Sequence, residues 1–139
     1  MRVHNFKYRK VHKVKVKKGS FDYKRLQLLY SSIGLRSLSE YRLKAVQIES
    51  CRRAIKKVVK KLGNVWIRVS ADRPITSKPA EVRMGKGKGN YSYSVAIVNK
   101  GTILFELSGP NLNVELAKEA LKQGAERLPF KTEICFYKS

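Results

Sequence analysis

A chain of 139 residues and 15.9 kDa, 42% of them hydrophobic, is long enough for one domain around one modest core. Its 31 Lys and Arg against 10 Asp and Glu give a formal charge of +21, which repels itself in a compact state and asks for a polyanion as counter-charge. No apolar run is long enough to span a bilayer, and the two cysteines, Cys51 and Cys135, form neither a disulfide scaffold nor a Cys-x-x-Cys pair. An anionic membrane surface is therefore second to nucleic acid as the expected partner. A reducing compartment is the simplest reading of the cysteines. The N-terminus lacks the continuous apolar segment of a secretory signal, so the chain is expected to work where it is made.

The charge is unevenly spread. Residues 101–139 hold five basic and five acidic side chains, while residues 1–100 hold 26 and five. One part of the molecule is built to face an anion and the other to face water. Residues 1–18, "MRVHNFKYRKVHKVKVKK", contain eight Lys or Arg, no acid and too little apolar surface for a core. They read as an extended arm that orders on a partner, the plainer alternative being a solvated tail. We place the arm at 1–20 and a single domain at 21–139. Residues 26–43 carry short apolar runs broken by Ser and Gly, which suggests one or two short strands.

From about Arg42 to Leu62 the period becomes helical. Ile48, Cys51, Ile55, Val58, Val59 and Leu62 fall within an arc of about 100°, with Gly63 as the expected cap. The opposite face carries Arg52, Arg53, Lys56, Lys57, Lys60 and Lys61. A face of one sign points to a polyanion more than to ordinary solubility. Asn64–Ser70 is a predicted strand with Val65, Ile67 and Val69 on one side, and residues 71–90 read as a long functional loop. "YSYSVAIVNKGTILFEL" reads as a hairpin turning at Asn99-Lys100-Gly101. Asn113 is the expected N-cap of a helix to about Arg127, whose stripe of Leu116, Ala117, Ala120, Leu121, Gly124 and Leu128 suits close approach to a sheet. Pro129 ends it, and "KTEICFYK" is a last strand. The predicted fold is α+β: two helices packed on one face of a mainly antiparallel sheet, with the basic arm and a long glycine-rich loop.

That loop, "RMGKGKGN" at 83–90, is not a nucleotide cradle. A P-loop leads into a helix through Gly-Lys-Ser/Thr, whereas Gly89 is followed by Asn90 and an alternating strand, and the spacing of Gly85, Gly87 and Gly89 does not match the dinucleotide fingerprint. Catalysis finds no footing: His4 and His12 lie in the arm, the acids are scattered singly, and metal-ligand spacing is absent. We expect a binding protein without cofactor or metal. Glycines let a backbone approach sugar–phosphate, Lys86 and Lys88 supply point charges, and Arg83 can grip phosphate or stack on a base; a plain mobile tip is the other reading.

The string "WIRVSADRPITSKPAEVRMGKGKGN" resembles the signature of the bacterial and organellar large-subunit ribosomal protein L-sixteen family, W-I-R-V-x-x-D-x-P-I-T-x-K-P-x-x-x-R-M-G-K-G-K-G. "QIESCRRAI" is similar to that family's Q-I-E-A-A-R-R-A helix, "YRKVHK" to its F/Y-R-K-x-H-K arm, and "ELAKEALKQGAERLPFKTEI" to its last helix and strand. The resemblance covers nearly the whole chain. It implies a structural, non-enzymatic role in the large ribosomal subunit, bound to ribosomal RNA near the peptidyl-transferase centre and the aminoacyl-tRNA site. It implies tRNA and other large-subunit proteins as further partners, with no membrane and no homo-oligomer. The RNA-facing residues expected from charge and resemblance together are Lys7, Arg9, Lys10, His12, Lys13 and Lys15 in the arm, and Arg52, Arg53, Lys56, Lys57 and Lys60 on the helix. Arg68, Lys78, Arg83, Met84, Gly85, Lys86, Gly87, Lys88 and Gly89 complete the set.

The sequence also departs from the family. Residues 19–41 are longer and less glycine-rich, "RLKAVQ" replaces R-L-T-A-R-Q and so loses a Thr cap and one arginine, and "SGPNLNVELAKEA" replaces a compact G-V-P-x-x-x-A turn. Those departures and the lysine-rich arm suggest an organelle-encoded, mitochondrial copy, with bacterial cytoplasm or plastid as the alternative.

Overall fold

The computed structural model describes residues 7–13 and 23–137; the rest of the predicted arm, Lys15 included, lies outside the described residues. After a single helical turn, α1 (Tyr23–Leu26), come strands β1 (Ile33–Ser37) and β2 (Tyr41–Lys44) and helix α2 (Ala45–Val59). Strands β3 (Asn64–Ile67), β4 (Arg73–Ser77), β5 (Asn90–Val98) and β6 (Ile103–Ser108) follow, then helix α3 (Val114–Ala125) and strand β7 (Thr132–Phe136). Among the described residues no helix is long and apolar enough to cross a membrane.

The α+β class is as expected, but the strands divide into two antiparallel sheets instead of one. A four-stranded sheet runs β3-β6-β1-β7 and a three-stranded sheet runs β2-β5-β4. The predicted hairpin is therefore a correction. The chain does turn at Asn99–Gly101, with Gly101 at φ 86°, but β5 and β6 enter different sheets. The reason is competition for ladder partners. Both edges of β6 are taken by β1 and β3, and both edges of β5 by β2 and β4. Ser37 holds the corner, its N–H donating to Thr102 O at 2.9 Å and its carbonyl accepting from Gly101 N–H at 2.7 Å. The long loop is shorter than expected, because β4 forms inside it and pairs with β5. Pro74 is tolerated there because β4 is an edge strand.

Helix α2 buries Ile48, Cys51, Ile55 and Val59, as its period predicts. It stops short of the expected end. Lys60 takes the positive φ of 51° that closes the helix, its N–H donating to Lys56 O, and Leu62 emerges 44% exposed. Gly63 is thus not the cap. A Cβ there would sit 2.9 Å from Ser108 O, so the glycine allows the chain leaving α2 to touch the end of β6. At the other end Gln47 Oε1 accepts from Lys44 N–H at 2.9 Å, half of a capping box in the absence of the threonine. Asn113 caps α3 as expected, its side chain accepting from Glu115 N–H.

The small residues of α3 face α2 more than the sheet. A Cβ on Gly124 would stand 2.5 Å from Ile55 Cγ1 and 3.2 Å from Cys51 Sγ, so the two helices meet at van der Waals distance there. Burial among those apolar groups pushes the Cys51 thiol up to about 12, and burial also raises Cys135. Neither is a thiolate nucleophile at neutral pH.

Strand β6, "ILFELS", is buried along five of its six residues. Its one charge, Glu106, is fully buried on the sheet face that carries Trp66 and Gly34 in register. The carboxylate accepts from Leu29 N–H at 3.1 Å and Tyr30 N–H at 2.7 Å, and pairs with the Arg68 guanidinium. Segment 27–31 is thereby strapped across the sheet, with Leu28 packed over Gly34. Replacing Glu106 by Ala leaves Arg68 and two backbone donors without their acceptor. Equilibrium denaturation should show a loss of about 3–5 kcal/mol, and a loss below about 1 kcal/mol would mean the strap does not depend on this carboxylate.

Candidate nucleic-acid interface

Twelve residues, 78–89, separate β4 from β5, and the glycine-rich string forms their far half. Gly85, Lys86 and Gly87 adopt positive φ in succession, at 97°, 54° and 82°. Gly85 and Gly87 have nothing near where a Cβ would go, so backbone conformation and not space requires them. Gly89 is needed for the opposite reason: a Cβ would lie 2.4 Å from Ser77 O, where the two ends of the loop pinch together. Lys78 crosses the loop to donate to Gly85 O. The tip presents Arg83, Met84, Lys86 and Lys88 to solvent, Met84 being 95% exposed.

The fold brings the described part of the arm to this loop. Lys10 Nζ donates to Lys88 O at 3.1 Å, and Lys88 Nζ donates to Val11 O. Two segments of like charge thus clasp each other through carbonyl acceptors. Lys7, Arg9, His12 and Lys13 are exposed around the clasp. Beyond it, Val11, His12 and Lys13 line a narrow groove with Arg42, Arg73, Val95 and Ile97 of the three-stranded sheet. Arg42 faces Ile97 and Arg73 faces Val95 in the ladders, positions two apart on β5, which puts both arginines on the face the arm covers. Sequence reasoning missed these two. The alternation of β5 was the available signal, but without the strand pairing it could not say which cations flank it.

The basic face of α2 is less uniform than its wheel suggests. Glu49 sits one turn before the arginines, accepting from Arg52 Nε and Nη2 at 2.9 and 2.7 Å and from Arg53 Nε at 3.0 Å. Hydrogen bonding from Arg52, then from Arg53, holds its carboxyl down at about 2. The cations lie on two flanks. Arg52 and Lys56 border a cavity of about 290 Å³ with Asn64, Val65 and Trp66. Arg53 and Lys57 border a broader one of about 630 Å³ with Glu49 and Arg127, the latter a cation from the end of α3 that the sequence did not single out. Lys60, beyond the helix, is exposed.

Arg68 must be taken out of the expected set. Its side chain is 11% exposed, its guanidinium pairs with Glu106 and stands 5.4 Å from the Tyr30 ring centre, and it donates to Gln27 O. Alternation alone put it on the face of Trp66 without showing that a buried carboxylate waits there. No group of three or more His, Cys, Asp or Glu able to hold a metal occurs among the described residues.

Comparison with known proteins agrees with the motifs that frame this surface. The family model "Ribosomal protein L16p/L10e" matches residues 3–135. The chain belongs to that family. It is 51% identical over 105 residues to the large ribosomal subunit protein uL16 of Blochmanniella floridana, covering 76% of this chain and 77% of that one. It is 47% identical over 128 residues to the proteins of that name from Buchnera aphidicola subsp. Baizongia pistaciae (strain Bp) and Psychrobacter arcticus, in each case covering 92% of this chain and 90% of the relative. Proteins of the L16p/L10e family are structural components and not enzymes, so the chain is a ribosomal protein with no reaction to assign.

The depressed Glu49 carboxyl makes a test of the α2 flanks. Because its folded value lies below the ordinary carboxylate value of 4.5, its contribution is present above that value and is lost as pH falls from 4.5 towards 2. Two partly exposed helical pairs sharing one carboxylate are worth about 0.5–1 kcal/mol. In denaturation curves Glu49→Gln should cost that much at pH 7 and only a small part of it at pH 2, where the carboxyl is about half protonated in the folded protein; an equal cost at both would remove the ion pairs from the account.

Proposed function

We propose that this protein is a structural constituent of the large ribosomal subunit that binds large-subunit ribosomal RNA near the peptidyl-transferase centre and the aminoacyl-tRNA site, supporting subunit assembly and tRNA positioning. The observation that carries the reading is the clasp between arm and loop. Lys10 and Lys88, 78 residues apart in sequence, cross to each other's segments and make one cationic surface out of two. Glu81 is the only acid in residues 78–89, and residues 7–13 have none. Such a surface holds RNA chiefly through phosphates, with glycine backbone able to approach closely and arginine to stack. The arm at 1–20 serves the folded domain by ordering against RNA. The contacting groups are Lys7, Arg9, Lys10, His12, Lys13, Lys15, Arg52, Arg53, Lys56, Lys57, Lys60, Lys78 and residues 83–89, with Arg42 and Arg73 added from the groove. The neighbours in this reading are tRNA and other large-subunit proteins, and the chain acts as a single copy. The departures from the family pattern at 19–41, 42–47 and 108–120 support an organelle-encoded, mitochondrial copy, while the bacterial source of the relatives keeps bacterial cytoplasm as the competing location.

Sedimentation of the tagged protein from its native extract tests the role. An integral component stays with large subunits and intact ribosomes when salt is raised, whereas non-specific phosphate binding loses on the order of a thousand-fold or more in affinity. Wash-off onto all RNA at high salt would make it a free-standing binder. The loop is tested on a large-subunit RNA fragment. Lys86→Ala with Lys88→Ala should weaken binding and flatten the log–log salt dependence by about two units, one per phosphate contact; an unchanged slope would take both lysines off the phosphates.

A further inference from the structure

The cavity beside Trp66 is not explained by phosphate binding alone. Trp66 stands on β3, an edge strand, opposite in alternation to the inward Val65. One face of its ring is stacked on Tyr30, with centroids 4.9 Å apart and planes 16° from parallel. Its Nε1 donates to Ser108 Oγ at 2.8 Å, and Tyr30 is itself fixed, through its backbone on Glu106 and the Arg68 guanidinium over its ring. The indole is therefore locked, yet Trp66 is 42% exposed. A large aromatic surface held rigid in water gives up little entropy when something stacks on it.

We infer that this cavity takes one unpaired nucleotide of RNA, its base against Trp66 and its phosphate against Arg52 and Lys56. The inference deepens the RNA-binding reading and rests on it. The lining brings Trp66, Asn64 and Val65 together with two cations around about 290 Å³, close to the lower end of small-ligand sites at roughly 300 Å³. Both cations are anchored at the cavity wall: Glu49 engages Arg52 through Nε and Nη2, and Lys56 Nζ donates to Gly63 O at 3.1 Å. An apolar side chain from a neighbouring protein would cover the indole but desolvate Lys56, whose partner among the described residues is the neutral carbonyl of Gly63, without a counter-charge. An acidic peptide would satisfy the cations and leave the indole in water. A splayed nucleotide satisfies both, and stacking of single-stranded bases on fixed aromatics is how folded RNA is commonly gripped.

Trp66 is the only tryptophan in the chain, so intrinsic fluorescence reports on this ring alone. The full chain is titrated with a short fluorescently labelled oligoadenylate and, separately, with an RNA duplex of equal phosphate number, following binding by anisotropy and Trp66 emission in parallel. Oligoadenylate should quench the indole and the duplex should bind with little quenching. Trp66→Ala should weaken oligoadenylate binding by roughly 5- to 100-fold with duplex binding unchanged. Trp66→Phe, which keeps a ring on Tyr30, should fall between wild type and the alanine variant and serves if the alanine variant does not fold. Lys56→Ala should weaken the quenching phase. Binding of oligoadenylate without quenching, or equal quenching by the duplex, overturns the nucleotide site, leaves the cavity to a neighbouring protein and leaves RNA binding intact. No binding of either RNA by anisotropy overturns the RNA reading and the site with it.

Discussion

A single buried carboxylate ties the two sides of this fold together. Glu106 lies in the strand flanked by β1 and β3, where the other buried residues are apolar, and it is fully buried. A charge in that position is tolerable only if its lone pairs are occupied, and they are: two backbone N–H groups from the strap at 27–31 and the guanidinium of Arg68 converge on it. An apolar residue would pack there as well but would leave the strap without an anchor. Because the strap carries Tyr30, and Tyr30 backs Trp66, the carboxylate also fixes the outward surface of the β3 edge. Its interaction thus specifies where a connecting segment lies, beyond any stability it adds.

The division of charge along the chain has a structural counterpart. The electrically balanced stretch 101–139 supplies β6, an interior strand of the larger sheet, β7 at one of its edges, and α3, the helix that covers α2. The cationic stretch supplies the arm, the glycine loop, the outer flanks of α2 and the three-stranded sheet beneath the arm. Where cationic segments touch, as Lys10 and Lys88 do, the contact is made through carbonyl oxygens and not between charges. Such a clasp is held against mutual repulsion that a polyanion would relieve. This gives the family assignment a physical expression: the basic surface is assembled by the fold but is electrostatically incomplete alone.

What the sequence made legible were faces. The apolar arc of α2, the Asn113 cap, the alternation of β5 and the last strand all follow from periods of 3.6 and 2 that depend on local geometry. What it hid were partners. Two adjacent alternating runs with a glycine turn between them look like a hairpin whether or not their edges are already taken, so the split into two sheets was invisible. Gly63 looked like a cap because it followed the helix, while its actual constraint is a carbonyl 45 residues later in sequence, at Ser108. The candidate surface divides in the same way. The arm, the loop and the α2 cations were readable as composition. Glu49 was overlooked because a wheel drawn for cations does not show an acid one turn away, and Arg68 was misassigned because its carboxylate lies on another strand.

The core, finally, decides what the surface offers. Each residue of an α-helix is rotated by about 100° from the last, so a slip of one position in the packing of α2 would turn every cation to a different side. Gly124 prevents this. By admitting Ile55 and Cys51 to within contact of the α3 backbone, it sets the rotational phase of α2 at a point where only one residue of the facing helix fits. From that phase Arg52 and Lys56 fall towards β3 and Trp66, and Arg53 and Lys57 towards Arg127. A basic helix with a loosely packed apolar stripe would carry the same charge but spread it over a range of orientations. Neutralising phosphates tolerates such a range. Holding a folded RNA in one register does not, because shape recognition needs cations at fixed separations. The glycine facing Ile55, distant in sequence from every basic motif, is thus as much a determinant of the candidate interface as the lysines of the loop.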